Sequence, residues 1–342
     1  MTTSQPRQVM CGYRTALCAF LIGTTSACGG ERPSGSMSAS PAGNGVRNFL
    51  TSIDTLWVAG SVEHDSVFVE PWFVAAGGGR VFVSDADKGL LAFTDSGNSA
   101  WHASGLFGPL SVLSESTLVA VRSSDRYLTF FAMDGERQNF ATATGVPETQ
   151  SLCASTEQTI LVTGGSARLT SVGRWGGSTV AHPFPWRELL DSSSLLRQTF
   201  VASSPGRPGC VIALVVGNQF ALTHGSDSLS FHPFVESIVV PAVRQTVDTA
   251  GDEITTTMSF AFRATAAEGV AMDDSLIFIA FGGSTPHREG LIDIYDRASG
   301  AYRSSLKLGV RIRAIAVGNG AVYVLHSNSG VPALAAFRAH VP

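Results

Sequence analysis

Asp85 and Asp87 stand one residue apart in RVFVSDADKGLLAFTDSG, Arg80 to Gly97, and an Asp-x-Asp pair is how a calcium loop begins. Counted from Asp85, such a loop requires an oxygen ligand at its fifth position, glycine at its sixth and a bidentate Glu at its twelfth. The chain supplies Gly89, Leu90 and Ser96 there, so the match fails at every later position. A turn accounts for the same residues, because an Asp side chain accepts hydrogen bonds from backbone N–H groups two residues on. The pair is expected to turn a strand corner rather than to hold an ion.

Other chemistry-bearing residues are sparse. Glu63, His64 and Asp65 gather three ligand types in three residues. Neighbours in extended chain point to opposite sides, so they read as an exposed loop. The glycines of AAGGGRVFV precede a strand instead of opening a helix. They cannot form a phosphate-cradling helix terminus and fit a tight turn between two strands. HExxH, CxxC, GxSxG and Walker patterns do not occur. The site residues are therefore expected to include no catalytic set, no metal ligands and no cofactor. Among the cysteines, Cys153 and Cys210 lie in the body of the chain. They either pair in an oxidising compartment or remain two small buried thiols, and the Cα separation that decides is not written in the sequence.

The N-terminus has its own logic. Arg7 and Arg14 precede ALCAFLIGTTSA, Ala16 to Ala27. That apolar run is too short to span a membrane and suits a secretory signal, so residues 1–27 are read as a signal peptide. TSAC, Thr25 to Cys28, resembles the bacterial lipoprotein box, in which small residues precede a cysteine that is lipidated and becomes the mature N-terminus; Thr25 replaces the usual aliphatic residue. The resemblance implies a lipid on Cys28 and a cell-envelope protein held to its membrane through that anchor alone. An ordinary secretory signal cleaved nearby is the alternative, and both export the chain. GGERPSGSMSASPAGNG, Gly29 to Gly45, has almost no bulky apolar side chain to repay ordering. Residues 28–45 read as a flexible tether.

The remainder, 46–342, must position whatever acts. The chain is 44% hydrophobic with 36 glycines, and its short Val, Leu and Phe runs are broken by Gly, Ser and Asp, which favours strands over helices. A net charge of -4 excludes the basic surplus that nucleic acid demands. Six apolar runs recur: RVFVSD, TLVAVRSSD, TILVTGGSAR, CVIALVVGN, LIFIAFGGS and AVYVLHSNSG. Most are followed by a second run, a tight-turn signal and a third run, and each is preceded by a weaker one such as PLSVLSE or IRAIAVGNG. Four strands per unit, apolar on both faces, can be buried only against neighbouring units.

The pattern resembles the six-bladed β-propellers of the NHL-like and TolB-like kinds, clearest in VFVSDADKGLLAFTDSG and IFIAFGGSTPHREGLIDIYDRASG. The expected fold is all-β, one domain of four-stranded antiparallel blades. The last unit stops after three strands at ALAAFRAHVP, and DTLWVAG, Asp54 to Gly60, is expected to supply its fourth. Six blades are counted; a seventh would require the insertion after Val235 to be a divergent unit. EITTTMSFAFRA alternates like an added hairpin strand, and HPFPWRELL and FHPFVESIVVPAV either cap the core or expose a patch.

The propeller resemblance implies one rim shared by the blade-connecting loops, and places Asp87, Lys88, Arg122, Asp125, Arg126, His287 and Arg288 on it. With no catalytic set, the expected function is a non-enzymatic binding or scaffold module for a protein, peptide or glycan. The alternative is a calcium-dependent lactonase or sugar-ester hydrolase, for which Glu115, Glu157 and Asn319 offer only rough analogues of axial ligands.

Overall fold

The computed structural model describes residues 47–50, 52–60, 67–122, 127–138, 149–154, 159–164, 169–173, 180–182, 184–186, 189, 193–224, 228–250, 253–262, 264–283, 290–328 and 330–341. Cys28, the signal and the tether lie outside them.

Strand β1 (Ile53–Ala59) precedes the first complete blade, β2 (Pro71–Gly77), β3 (Arg80–Asp85), β4 (Gly89–Thr94) and β5 (Ser99–Ala103). Blade 2 is β6 (Leu110–Ser114), β7 (Thr117–Arg122), β8 (Tyr127–Ala132) and β9 (Arg137–Gln138); blade 3 is β10 (Thr149–Ala154), β11 (Thr159–Gly164), β12 (Leu169–Gly173) and β13 (Val180–His182). Blade 4 comprises β14 (Thr199–Ala202), β15 (Val211–Leu214), β16 (Gln219–His224) and β17 (Ser228–Pro233). A hairpin, β18 (Val243–Ala250) and β19 (Glu253–Phe260), stands before blade 5, which is β20 (Gly269–Met272), β21 (Leu276–Phe281), β22 (Leu291–Asp296) and β23 (Tyr302–Lys307). Blade 6 is β24 (Arg311–Gly318), β25 (Ala321–Asn328) and β26 (Val331–Ala339), completed by β1.

The protein is thus a six-bladed β-propeller of four-stranded antiparallel blades, and the insertion after Val235 is a hairpin rather than a seventh blade. The strand carrying DTLWVAG pairs antiparallel with β26 from Ile53 opposite Ala339 to Ala59 opposite Leu334, as expected. The innermost strands β2, β6, β10, β14, β20 and β24 each touch the next, and β24 returns to β2.

Burial on both faces explains the near-continuous apolar runs. In β3, Val81 and Val83 pack toward blade 6 with Tyr323 and Leu325, while Phe82 between them packs toward blade 2 with Leu118 and Phe131. The insertions serve the same core: Phe184 and Trp186 are buried with Ile212, and Phe234 and Ile238 with Phe220. The capping alternative holds for these residues, whereas Phe231 and Val239 stay exposed.

A repeated contact locks neighbouring blades. Trp57 on β1 lies against Gly97 in the turn between β4 and β5 and donates Nε1–H to the Asp95 carbonyl at 2.6 Å. Trp101 on β5 repeats this one blade on, against Gly135, donating to the Met133 carbonyl at 2.9 Å. Between blades 4 and 5 His232 takes the aromatic place against Gly300. Each glycine has positive φ, and a Cβ on any of them would stand 2.2 to 2.8 Å from an atom of the facing ring. Backbone geometry and packing therefore demand the same residue.

Two further ties cross blades. Cys153 on β10 and Cys210, just before β15, form a disulfide joining blades 3 and 4, with Cα atoms 6.2 Å apart. Residues 47–50 lie along the outer edge of blade 5, where Leu50 N–H donates to the Ser305 carbonyl and Ser305 N–H donates to that of Asn48. From there the Arg47 guanidinium reaches inward, paired through Nε and Nη2 with both oxygens of Asp293 at 2.9 Å, joined to Glu236 through Nη1, and set 4.4 Å over the Phe281 ring. Its side chain is 7% exposed and that of Asp293 1%.

Two outcomes follow for urea unfolding. Gly135→Ala should destabilise by about 2 kcal/mol, through strain at positive φ and displacement of Trp101. Arg47→Ala leaves Asp293 charged and buried, so it should cost about 3–5 kcal/mol. A loss under about 1 kcal/mol would mean that the N-terminal segment is not bound to blade 5 in solution.

Candidate functional site

The inner strands run the same way around the axis. The end of β24 at Gly318 lies against Ala76 and Gly77 at the end of β2, and the turn after β2 lies against the turn after β6, where a Cβ on Gly78 would stand 2.4 Å from the Glu115 carbonyl. The propeller therefore has a front face, where all six inner strands begin, and a back face, where they end.

Asp85 is the strand corner expected of it. Its buried carboxylate accepts four backbone N–H bonds: Asp87 and Lys88 at 2.9 and 3.0 Å on Oδ1, Val69 and Glu70 at 2.8 and 3.1 Å on Oδ2. It closes the turn from β3 to β4 and ties it to the chain entering β2. Asp87 is thereby carried on the front face, exposed, and Lys88 beside it is half-buried. Arg122 ends β7 opposite Tyr127 in the pairing. Asp125, Arg126, His287 and Arg288 lie outside the described residues, as do His64 and Glu157. Of the suggested axial ligands, Glu115 sits on the back face and accepts the Gly78 N–H at 3.0 Å. Asn319 turns the chain from β24 to β25 at φ 52°. Among the described residues no three His, Cys, Asp or Glu side chains gather as a metal site.

What the sequence did not reveal is a cup on the axis. A cavity of about 250 Å³ is lined by all six inner strands, with Val74, Val112, Leu152, Phe200 and Ile315 among its walls. The back end is stopped by the loop from Ser203 to Gly209. From blade 4 it crosses to blade 1, where Pro205 meets Gly77, and to blade 2, where Gly206 N–H donates to the Leu113 carbonyl at 3.0 Å. Ser203 Oγ accepts the Ala154 N–H from blade 3 at 2.9 Å, and Ser204 Oγ donates to Asp274 beside blade 5 at 2.8 Å. Arg207 pairs with Asp274 at 2.9 Å, and Arg297 donates to the Pro208 carbonyl at 3.1 Å.

The front mouth is polar and aromatic. The pairing of β2 with β3 shifts between Pro71 and Phe73, and that of β24 with β25 between Ile312 and Ala314. Such bulges re-aim the extra side chain. They fall on Trp72, 43% exposed, and Arg313, also exposed, and both line the cup on adjacent blades. Arg313 Nη1 stands 3.5 Å from the Pro71 carbonyl. Glu268, beside β20, accepts the Thr265 hydroxyl at 3.1 Å. One strand outward, His326 lies opposite Ile312, and burial holds its imidazole below the usual range. Among the described residues that line the cup, the basic side chain is Arg313.

No family model matches the chain, and no curated protein sequence matches it. Solved structures do. A Bacteroides thetaiotaomicron protein of unknown function superposes with a TM-score of 0.50 at 10% identity, over 85% of this chain and 73% of that one. Virginiamycin B lyase from Staphylococcus aureus gives 0.49 at 9% identity, over 84% and 99%. BamB from Moraxella catarrhalis gives 0.41 at 12% identity, over 88% and 93%. At such identities a likeness bears on the fold alone.

Asp85→Ala should lower stability by about 3 kcal/mol, since four N–H groups lose their acceptor, while Asp87→Ala changes it by less than about 0.5 kcal/mol. Chemical denaturation of both variants checks this; equal losses would remove Asp85 from its role as the corner.

Proposed function

We propose that this chain is an exported, lipid-anchored and non-enzymatic binding module of the bacterial cell envelope, engaging a protein, peptide or glycan with its front face. The observation that carries the reading is the asymmetry of the ring. The axial cup is stopped at the back by Ser203 to Gly209 and opens at the front, where Trp72, Asp87 and Arg313 are exposed. Exposed aromatic and arginine side chains around a concavity are the usual anchors of recognition. Lys88 stands beside Asp87 on the same face. Arg122, Asp125, Arg126, His287 and Arg288 join this proposed rim as an expectation from the repeat.

The anchor supports the same reading. A lipid on Cys28 followed by the tether at 29–45 holds the ring near a membrane while letting it turn.

Fractionation of cells expressing the Cys28→Ala variant should move the protein from the membrane to the soluble exported fraction. Continued sedimentation with membranes would sink the anchor. Cross-linking in intact envelopes should give a discrete adduct that disappears with Trp72→Glu and Lys88→Glu together and persists with the back-face change Arg207→Glu. The opposite dependence would place recognition on the other side of the ring.

A further inference from the structure

We infer that the axial cup is a binding site for a small carboxylic acid with an apolar body, the body entering the cup and the carboxylate meeting Arg313. The inference deepens the binding-module reading and rests on it.

The walls decide the body. Val74, Val112, Leu152, Phe200 and Ile315 present alkyl and aromatic surface, and Pro205 closes the floor. The volume, about 250 Å³, equals that of roughly eight waters at about 30 Å³ each, just under the usual range for drug-sized ligands. It suits one ring or a short branched chain. Between these apolar residues stand Ser111, Ser151 and Ser203, of which Ser151 and Ser203 already accept the Val201 and Ala154 N–H groups at 2.9 Å.

The mouth decides the head group. Arg313 is brought there by a bulge and, among the described residues, makes a long contact of 3.5 Å to the Pro71 carbonyl. A guanidinium so placed offers a two-pronged donor set to a carboxylate. Trp72, turned outward by its own bulge on the next inner strand, adds an aromatic lip for the body. Glu268, beside the inner strand of blade 5, takes the Thr265 hydroxyl and lines the same cup. The same register shift recurs at the start of β10, between Thr149 and Ser151, so the bulge belongs to the repeat, and on β2 and β24 it carries Trp72 and Arg313 to one opening.

The test uses the purified full chain in a non-ionic detergent, with phenylbutyrate and its neutral counterpart phenylbutanol as probes in calorimetry. Saturable binding of the acid, weaker by about tenfold for the alcohol, is expected. Arg313→Gln should remove that preference by weakening the acid alone, and Trp72→Ala should weaken both probes alike. Thermal unfolding of the variants should match the parent, since both side chains are exposed. Equal affinity for acid and alcohol, a preference that survives Arg313→Gln, or no saturable binding of either probe would overturn the inference. If the cup fails in this way while the front-face adduct of intact envelopes persists, the binding-module reading stands without it.

Discussion

A ring of sheets has no stable partial form. Each blade is apolar on both faces, so removing one neighbour exposes a full interface, and everything here depends on the seam where first and last strands meet. That seam is the pairing of β1 with β26, which puts an N-terminal strand and a C-terminal strand in one sheet. Loss of this ladder would free an edge on blade 6 and unseat Trp57 from the turn at Gly97 on blade 1. The Arg47 cluster extends the closure to blades 4 and 5, because its charges span the connection carrying Glu236 and the strand carrying Asp293. Such a pair contributes little beyond a well-packed apolar contact, yet it is costly to break on one side. It therefore fixes where the N-terminal segment sits more than it strengthens the ring.

Closure also creates the axis. The innermost strand of every blade pairs on one side only, so six strand edges surround a shaft whose width follows from the number of blades. Small residues such as Ala76, Gly77 and Gly269 let those edges approach, and adjacent strands touch all the way round. An open shaft would pass solvent. The loop from Ser203 to Gly209 turns it into a cup, held by backbone and hydroxyl bonds to blades 2, 3 and 5 and by the contact of Pro205 with Gly77 on blade 1.

Much of this was legible in the residues. Alternation and turn glycines disclosed the strands, and the missing fourth strand of the last unit pointed to Asp54–Gly60. Asp85 could be assigned to a corner because the failed ion loop left only local N–H groups to satisfy it. The cup was not legible, for definite reasons. A bulge such as that at Trp72 or Arg313 is a property of pairing between two strands, and neither strand alone encodes it. The plug reads as an ordinary Pro/Gly turn, since its partners Gly77, Leu113, Ala154 and Asp274 are scattered through the chain. Arg47 borders the tether in sequence, and nothing local marks it for a buried carboxylate partner.

The two faces differ in how freely they can vary. On the back, short turns are clamped blade to blade: Gly78 under the Glu115 carbonyl, Gly97 under Trp57 and Gly135 under Trp101 leave no room for even a methyl group. An insertion at any of them would open two blades. On the front, connections between blades face fewer such constraints, and the long ones are found there, with their apolar residues Phe184, Trp186, Phe234 and Ile238 folded back into the core. The hairpin β18–β19 can therefore be added without disturbing the ring, because its attachment is paid in side chains that the core already accepts. Rigid turns on one side and absorbed insertions on the other follow from the same constraint, that six interfaces must close at once. It is this constraint that leaves chain length free on the front face alone.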